Sequence, residues 1–364
     1  MPRWAVLTLG LWAGAACSQD VAERGSSLPW PAQPLLAARE PADNPSTAAK
    51  RSLGRVLFYD PLLSADRATA CVTCHSEIWG LGDQLPRSVG VGGRGAIGPG
   101  RSGPHMTRRN APTLWNLAQR SALFWDGRAD SLEAQVFFPL ENADELAREP
   151  DALVDELAGH SGYAELFRAA FPEEDQPVSR DTLAKALASF MRGYVSDRAP
   201  YDQFLAGDEL ALDASDHRGI QLFAELECNG CHVPPRFESD RYADRAVPNP
   251  EGIADDGRGE LPEHAAERGK FRVPTLRNVR ETGPYFHNGS VASFEAAVQH
   301  EVDQQLEQLA RAPLSAAEMS DLVSFLRRAL TDTSRDQHPP PALPSGLPLP
   351  LDNERILRGG SVDP

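Results

Sequence analysis

The pentapeptide Cys71-Val72-Thr73-Cys74-His75 returns later in the chain as Cys228-Asn229-Gly230-Cys231-His232. Two thiols separated by two residues and followed at once by a histidine form an attachment unit for c-type haem. The thiols add across the porphyrin vinyl groups as thioethers, and the histidine becomes the proximal iron ligand. One copy would also fit a redox dithiol or part of a zinc site. Two copies account for every cysteine except Cys17, which a dithiol or a zinc site does not explain. The expected fold is mostly α, in two cytochrome-c-like domains, each carrying one covalently attached c-type haem.

The 364 residues allow two or three domains, and 41% hydrophobic content supplies a core. A formal net charge of -16 argues against a nucleic-acid partner, which needs clustered Lys and Arg. It suits a basic redox partner, or simply a solvated acidic surface. Residues 1–20 read as a signal peptide. Arg3 precedes an apolar run from Trp4 to Ala16, too short to span a bilayer, and Ala13-Gly14-Ala15 fits a small-x-small cleavage site. Gly14-Ala15-Ala16-Cys17 also resembles a lipoprotein box with Cys17 as lipid acceptor, although Gly14 stands where leucine is usual. Both readings send the protein out of the cytoplasm, to the periplasm, where thiols receive haem.

Residues 21–46 are rich in Pro, Ala and Ser and read as a linker or peripheral arm. Residues 47–199 form the expected N-terminal haem domain. It opens with a helix over 47–59, then the first haem unit, then a glycine-rich loop between Trp79 and Arg109. That loop lacks the Gly-Lys-Ser/Thr ending of a nucleotide loop and reads as haem-side. Helical patterns follow at 130–136, 151–171 and from the Ser179 cap to Tyr194. Residues 200–335 form the second haem domain, with helices expected at 217–226, 293–308 and after a Ser315/Glu318 capping box. Residues 336–364 are a proline-rich tail that wraps the surface or stays disordered.

Seven ordered motifs make the chain resemble the bacterial di-haem cytochrome c peroxidases and their MauG-type relatives over roughly residues 47–332. They are Leu57-Phe58-Tyr59-Asp60-Pro61, the first haem unit, Arg109-Asn110-Ala111-Pro112-Thr113 and Phe124-Trp125-Asp126-Gly127-Arg128. Then come the second haem unit, Val273-Pro274-Thr275-Leu276-Arg277-Asn278 and Pro284-Tyr285-Phe286-His287-Asn288-Gly289. The resemblance implies that hydrogen peroxide reacts at the N-terminal haem. It implies that Glu145 takes a proton from peroxide and returns it to the departing oxygen, that Gln135 orients the peroxide, and that Trp125 relays electrons between the haems. It also implies a calcium ion on oxygens of Asn110, Thr282 and Pro284.

Two departures bear on mechanism. The distal histidine that blocks the N-terminal haem in typical peroxidases corresponds to Val91, which cannot bind iron; His105 in the same loop is the only substitute. After the Pro-Tyr-Phe-His turn, where peroxidases have an axial methionine and MauG-type enzymes a tyrosine, stands Glu301 with His300 beside it. Either residue is a candidate second axial ligand, or the position is vacant. Losing the thioether lowers the potential and favours ferric and higher states. Two functions follow: a peroxidase fed by a small donor protein (a cytochrome c or cupredoxin), or a MauG-like oxidase of Trp or Tyr residues in a protein substrate. A plain electron-transfer cytochrome ranks third. A homodimer is allowed for. His160, His217, His264 and His338 read as surface or capping residues, and His287 as a support near the second haem.

Overall fold

Thr47 opens the first helix, its side chain accepting from Lys50 N, because an N-cap oxygen satisfies an orphan amide of the first turn. In this computed structural model, residues 28–37, 40–250, 252–334 and 339–351 are described. Cys17, the signal peptide and His338 lie outside them. The helices are α1 (Ala48–Tyr59), α2 (Cys71–Cys74), α3 (Leu132–Gln135), α4 (Phe137–Glu141), α5 (Pro150–Gly159), α6 (Ser161–Ala170) and α7 (Arg180–Met191). They continue with α8 (Pro200–Leu205), α9 (Ala214–Glu225), α10 (Phe294–Leu309) and α11 (Ala316–Ser324). The described sheet is one antiparallel pair, β1 (Tyr242–Ala243) and β2 (Phe271–Arg272). The expectation of a mostly α protein holds.

Two hydrophobic cores divide the molecule. The first gathers Leu53, Leu57, Phe58, Phe167, Leu187, Phe190 and Tyr194, and the second Tyr201, Phe223, Phe237, Val298 and Phe325. Each is centred on a crossing of two helices that a glycine permits. A β-carbon on Gly54 of α1 would collide with Ala186 O and Phe190 Cβ of α7. A β-carbon on Gly219 of α9 would likewise collide with Asp321 O of α11 and Phe325 Cβ. The same device thus precedes each haem unit in the chain.

The capping expectations hold at Ser179 and the Ser315/Glu318 box, and Ser293 caps α10. One boundary moves: α9 begins at Ala214 rather than 217, because Asp213 accepts from Ser215 N and Asp216 N. The two chain ends differ more from expectation. Leu28 and Trp30 are buried in the second core rather than peripheral. Trp30 packs edge-on against Phe223 and Phe237 and donates from Nε1 to the Tyr201 hydroxyl at 2.9 Å. Conversely, Leu343 of the proline-rich tail is buried in the first core, Ser345 Oγ donates to Asp60 Oδ1 at 2.8 Å, and Ile97 N donates to Leu351 O. Burial of scattered apolar side chains, not periodicity, orders these segments. Among the described residues no helix is long and apolar enough to cross a membrane.

Candidate haem and peroxide site

His75 caps the C-terminal end of α2, which places it and both thiols of the first unit on one wall of a cavity of about 540 Å³. Its Nδ1 donates to Leu81 O at 2.9 Å. That bond fixes the tautomer in which Nε2 keeps its lone pair. Burial pushes the His75 pKa down, favouring the neutral imidazole that ligates iron. Burial pushes the Cys71 thiol up to about 12 and the Cys74 thiol up as well. Neither cysteine is in a disulfide. Among the described residues, no three His, Cys, Asp or Glu side chains gather as an ion site.

The expected reactive residues line the same cavity: Gln135 ends α3, Glu145 follows α4, and Trp125 lies on the loop before α3. Glu145 Oε1 accepts from Asn142 Nδ2 at 2.7 Å. Burial raises the Glu145 pKa above the ordinary carboxylate value, against the opposing pulls of the Asn142 bond and the Arg128 charge. Trp125 bridges the two halves. Its Nε1 donates to Asn110 O at 2.9 Å, and its own carbonyl accepts from Arg272 N at 2.7 Å.

The cavity wall is cationic, which the sequence did not disclose. Arg108, Arg109, Arg120, Arg128 and Arg272 line it against three acids, Asp126, Glu145 and Glu260. Arg120 and Arg272 are buried on either side of Glu238. Burial beside Arg120 lowers the Arg272 pKa to about 10. Arg120 and Arg272 share the single Glu238 carboxylate, and a haem brings a pair of carboxylates. Thiols, a neutral imidazole and this charge balance together fit the group. Arg109 is the hub between the halves, bonded to Asp126 at 2.5 Å and to both oxygens of Asp255 at 2.7 Å. Arg128 stacks over Phe124 at 3.6 Å while pairing with Asp126. Both arginines sit inside motifs visible in the sequence; the Arg128 partners are local to its motif, whereas Asp255 reaches Arg109 only through the tertiary fold.

Val91 is buried, and its N–H donates to Glu145 O at 2.9 Å. A β-carbon on Gly90 would strike the carbonyls of Asp144 and Glu145, so this part of the glycine-rich loop packs directly on the segment that carries Glu145. His105, by contrast, sits at the surface in a 3.1 Å contact with Asp144 Oδ1, 45% exposed. It does not face the cavity.

In the second unit, His232 Nδ1 donates toward Pro274 O at 3.0 Å and Phe237 O at 3.2 Å, the same orienting device as at His75. Burial lowers its pKa and raises that of Cys228 to about 12. The Glu301 charge, on α10, acts on both His232 and Cys228. Its Oε2 accepts from Arg245 Nε at 2.9 Å, whereas His300 Nε2 donates to Arg245 O at 2.8 Å. Asn110 is reached by the Pro284–Gly289 turn, its N–H donating to His287 O at 2.8 Å and its Nδ2 to Leu85 O. Thr282 Oγ1 donates to Val279 O at 3.0 Å. His287 is buried, stacked on Phe271 at 3.5 Å.

Comparison with known proteins agrees with this arrangement. The methylamine utilization protein MauG of Methylorubrum extorquens is 39% identical over 295 residues, covering 79% of each chain. The chain belongs to the di-haem cytochrome c peroxidase family. The family model itself matches residues 48–210. Cytochrome c551 peroxidase of Pseudomonas aeruginosa is 33% identical over 300 residues, 81% of this chain and 82% of that one. Among solved structures, a MauG-like protein associated with microbial copper homeostasis superposes with a TM-score of 0.71 at 28% identity, covering 82% of this chain and 94% of that one. Membership in this di-haem family implies haem c cofactors.

Proposed function

We propose that the chain is a di-haem peroxidase that reduces hydrogen peroxide at the His75 haem with electrons passed through the His232 haem and Trp125. One observation carries this reading: Glu145, Gln135 and Trp125, distant in sequence, share a single cavity with Cys71, Cys74 and His75. When bound, the haem supplies the iron that accepts peroxide and stores oxidising equivalents. The chain supplies the proton chemistry. Glu145 takes a proton from one peroxide oxygen and delivers it to the other, through Oε2, because Oε1 is occupied by Asn142. Its raised pKa brings it nearer the working pH, where a group that must both accept and donate is most effective. The Gln135 amide orients the peroxide, and the apolar walls, Leu114, Val136 and Leu140 among them, exclude water.

With Val91 in the loop packed on the Glu145 segment and His105 at the surface, the first haem is open in the ferric protein. Stoichiometric peroxide added to ferric and to half-reduced holoprotein tests this by absorption. Fast reaction of the ferric form is expected. Reaction of the half-reduced form alone would reveal a blocking ligand, and reaction of neither would end the peroxidase reading.

A MauG-like oxidase, acting on Trp or Tyr of a protein substrate, is the second reading. It is favoured by Glu301 where an axial methionine is expected: α10 contains no methionine. A carboxylate at or near that iron favours ferric and higher states. The remaining parts of the proposal are a calcium ion on Asn110, Thr282 and Pro284, domains at 47–199 and 200–335, and a periplasmic location. The calcium is supported by the docking of the Pro284–Gly289 turn on Asn110, whose Nδ2 is engaged and whose oxygen is the end suited to a hard cation.

A further inference from the structure

A second cavity, of about 660 Å³, is lined by Trp115, Ala118 and Gln119 of the segment whose Leu114, Leu117 and Arg120 line the peroxide site, and it plays no part in the chemistry above. Trp115 and Glu77 line it together with Leu36, Ala118, Glu40 and Arg192. Trp115 is buried, 4% exposed, yet borders this pocket. Behind it the aromatic core is continuous. The Trp115 and Tyr194 rings meet edge-on with centroids 6.2 Å apart, and Tyr194 meets Phe58 at 5.8 Å. Phe58 itself lines the haem cavity. Each spacing is ring contact. Tyr59, at 5.8 Å from Phe58, turns its hydroxyl to Glu77 Oε1 at 3.5 Å. The two cavities are thus joined by aromatic contacts, and the pocket end has both a tryptophan and a carboxylate.

We infer that this pocket binds a small neutral phenol, of the hydroquinone class, and that Trp115 and Tyr194 carry its electrons to the peroxide-oxidised first haem. The inference rests on the peroxidase reading, which supplies the oxidant. The pocket's size is that of a small-molecule site and far below a protein interface. Its described lining carries two arginines and three carboxylates, so no single charge sign is selected and a neutral ligand is favoured over an anion. An aromatic ring packs on Trp115, and a phenolic hydroxyl donates to Glu77. Burial keeps the Tyr194 hydroxyl protonated far above its ordinary range, so Tyr194 is a bridge rather than a resting place. Tryptophan gives up an electron without needing to lose its proton first.

The step balances. Hydroquinone gives one electron to Trp115 and one proton to Glu77, becoming a neutral phenoxyl radical. Two such radicals disproportionate to one quinone and one hydroquinone. Peroxide takes two electrons and two protons and leaves as two waters, so one hydroquinone is consumed per peroxide. This gives the protein a second point of electron entry, independent of the second haem.

The test uses the holoprotein with hydroquinone as the probe. Equilibrium dialysis without peroxide should show saturable binding to the wild type that weakens at least about tenfold in Ala118→Phe, which fills the pocket while leaving Trp115 in place. In turnover, the ratio of hydroquinone oxidation to reduced-cytochrome-c oxidation should fall at least about tenfold in both Trp115→Phe and Ala118→Phe. With peroxide and no donor, peptide mass spectrometry should find added oxygen concentrated at Trp115 and Tyr59, and hydroquinone should suppress it. Peroxide consumption with the cytochrome but no variant-sensitive hydroquinone turnover overturns the relay alone, as do oxidation marks spread evenly over the aromatic residues. No peroxide consumption with any donor overturns the peroxidase reading and the relay together.

Discussion

Glu145 is where sequence position and physical environment part company. In the sequence it is one acid among several after α4. In the fold it is held by Asn142, faces the haem cavity, and has a pKa raised chiefly by burial. A group that must be ionised to take the peroxide proton makes the rate rise with pH through its own pKa. The acid limb of kcat/KM for peroxide should therefore lie above the ordinary carboxylate range. Glu145→Gln keeps the shape but cannot move a proton. It should lower kcat/KM about 10²–10⁴-fold and abolish that limb, measured by stopped-flow absorption across pH. Retention of the limb in the variant would assign it to another group. Glu301 poses the companion question at the second haem. Glu301→Met should convert its spectrum to that of a thioether-ligated haem and raise its potential, read by redox titration of that haem. An unchanged spectrum and potential would mean that residue 301 does not reach the iron.

Among the elements, the two glycine-mediated crossings organise everything else. Gly54→Ala and Gly219→Ala each place a methyl group against a backbone carbonyl of the facing helix. Overpacking of this kind costs typically ~1–3 kcal/mol, and each variant should lower the denaturation midpoint by that amount. An unaffected midpoint in either would show that the helices separate freely. The glycine-rich loop is a second element whose role is positional. It is anchored by Gly92 N to Asp66 Oδ2 and by Val91 N to Glu145 O. Val91→His puts an imidazole on the buried part of the loop that packs on the Glu145 segment. Slower reaction of the ferric protein with peroxide, restored by partial reduction, is the expected result. An unaltered ferric rate would mean that this loop does not approach the iron.

For the whole molecule, the described ends cross over: residues 28–37 complete the second core, and residues 339–351 cover part of the first. Neither half is finished by contiguous chain. Truncating Trp30 removes its packing on Phe223 and Phe237 and its bond to Tyr201, so Trp30→Ala should cost about 3–5 kcal/mol. The loss should appear first in the absorption of the His232 haem, followed during denaturation. Simultaneous loss at both haems would instead show that the two halves unfold as one unit.

The sequence by itself determined what is local. Cysteine and histidine spacing announced the haem units, Ser and Thr caps marked helix starts within a residue or two, and ordered motifs named the family. Those signals depend on neighbours in the chain, where spacing is geometry. It also pointed to Val91 as a residue unable to ligate. Only the tertiary structure brought Gln135, Glu145 and Trp125 into one cavity, lined that cavity with arginines from both halves, sent His105 to the surface and buried Trp30 and Leu343 in opposite cores. Those outcomes depend on which surfaces meet after helices cross, and on charges paired more than a hundred residues apart, such as Arg109 with Asp255. Periodicity carries no record of such meetings, because burial and electrostatic pairing are properties of the folded contact and not of either partner's neighbourhood in the chain.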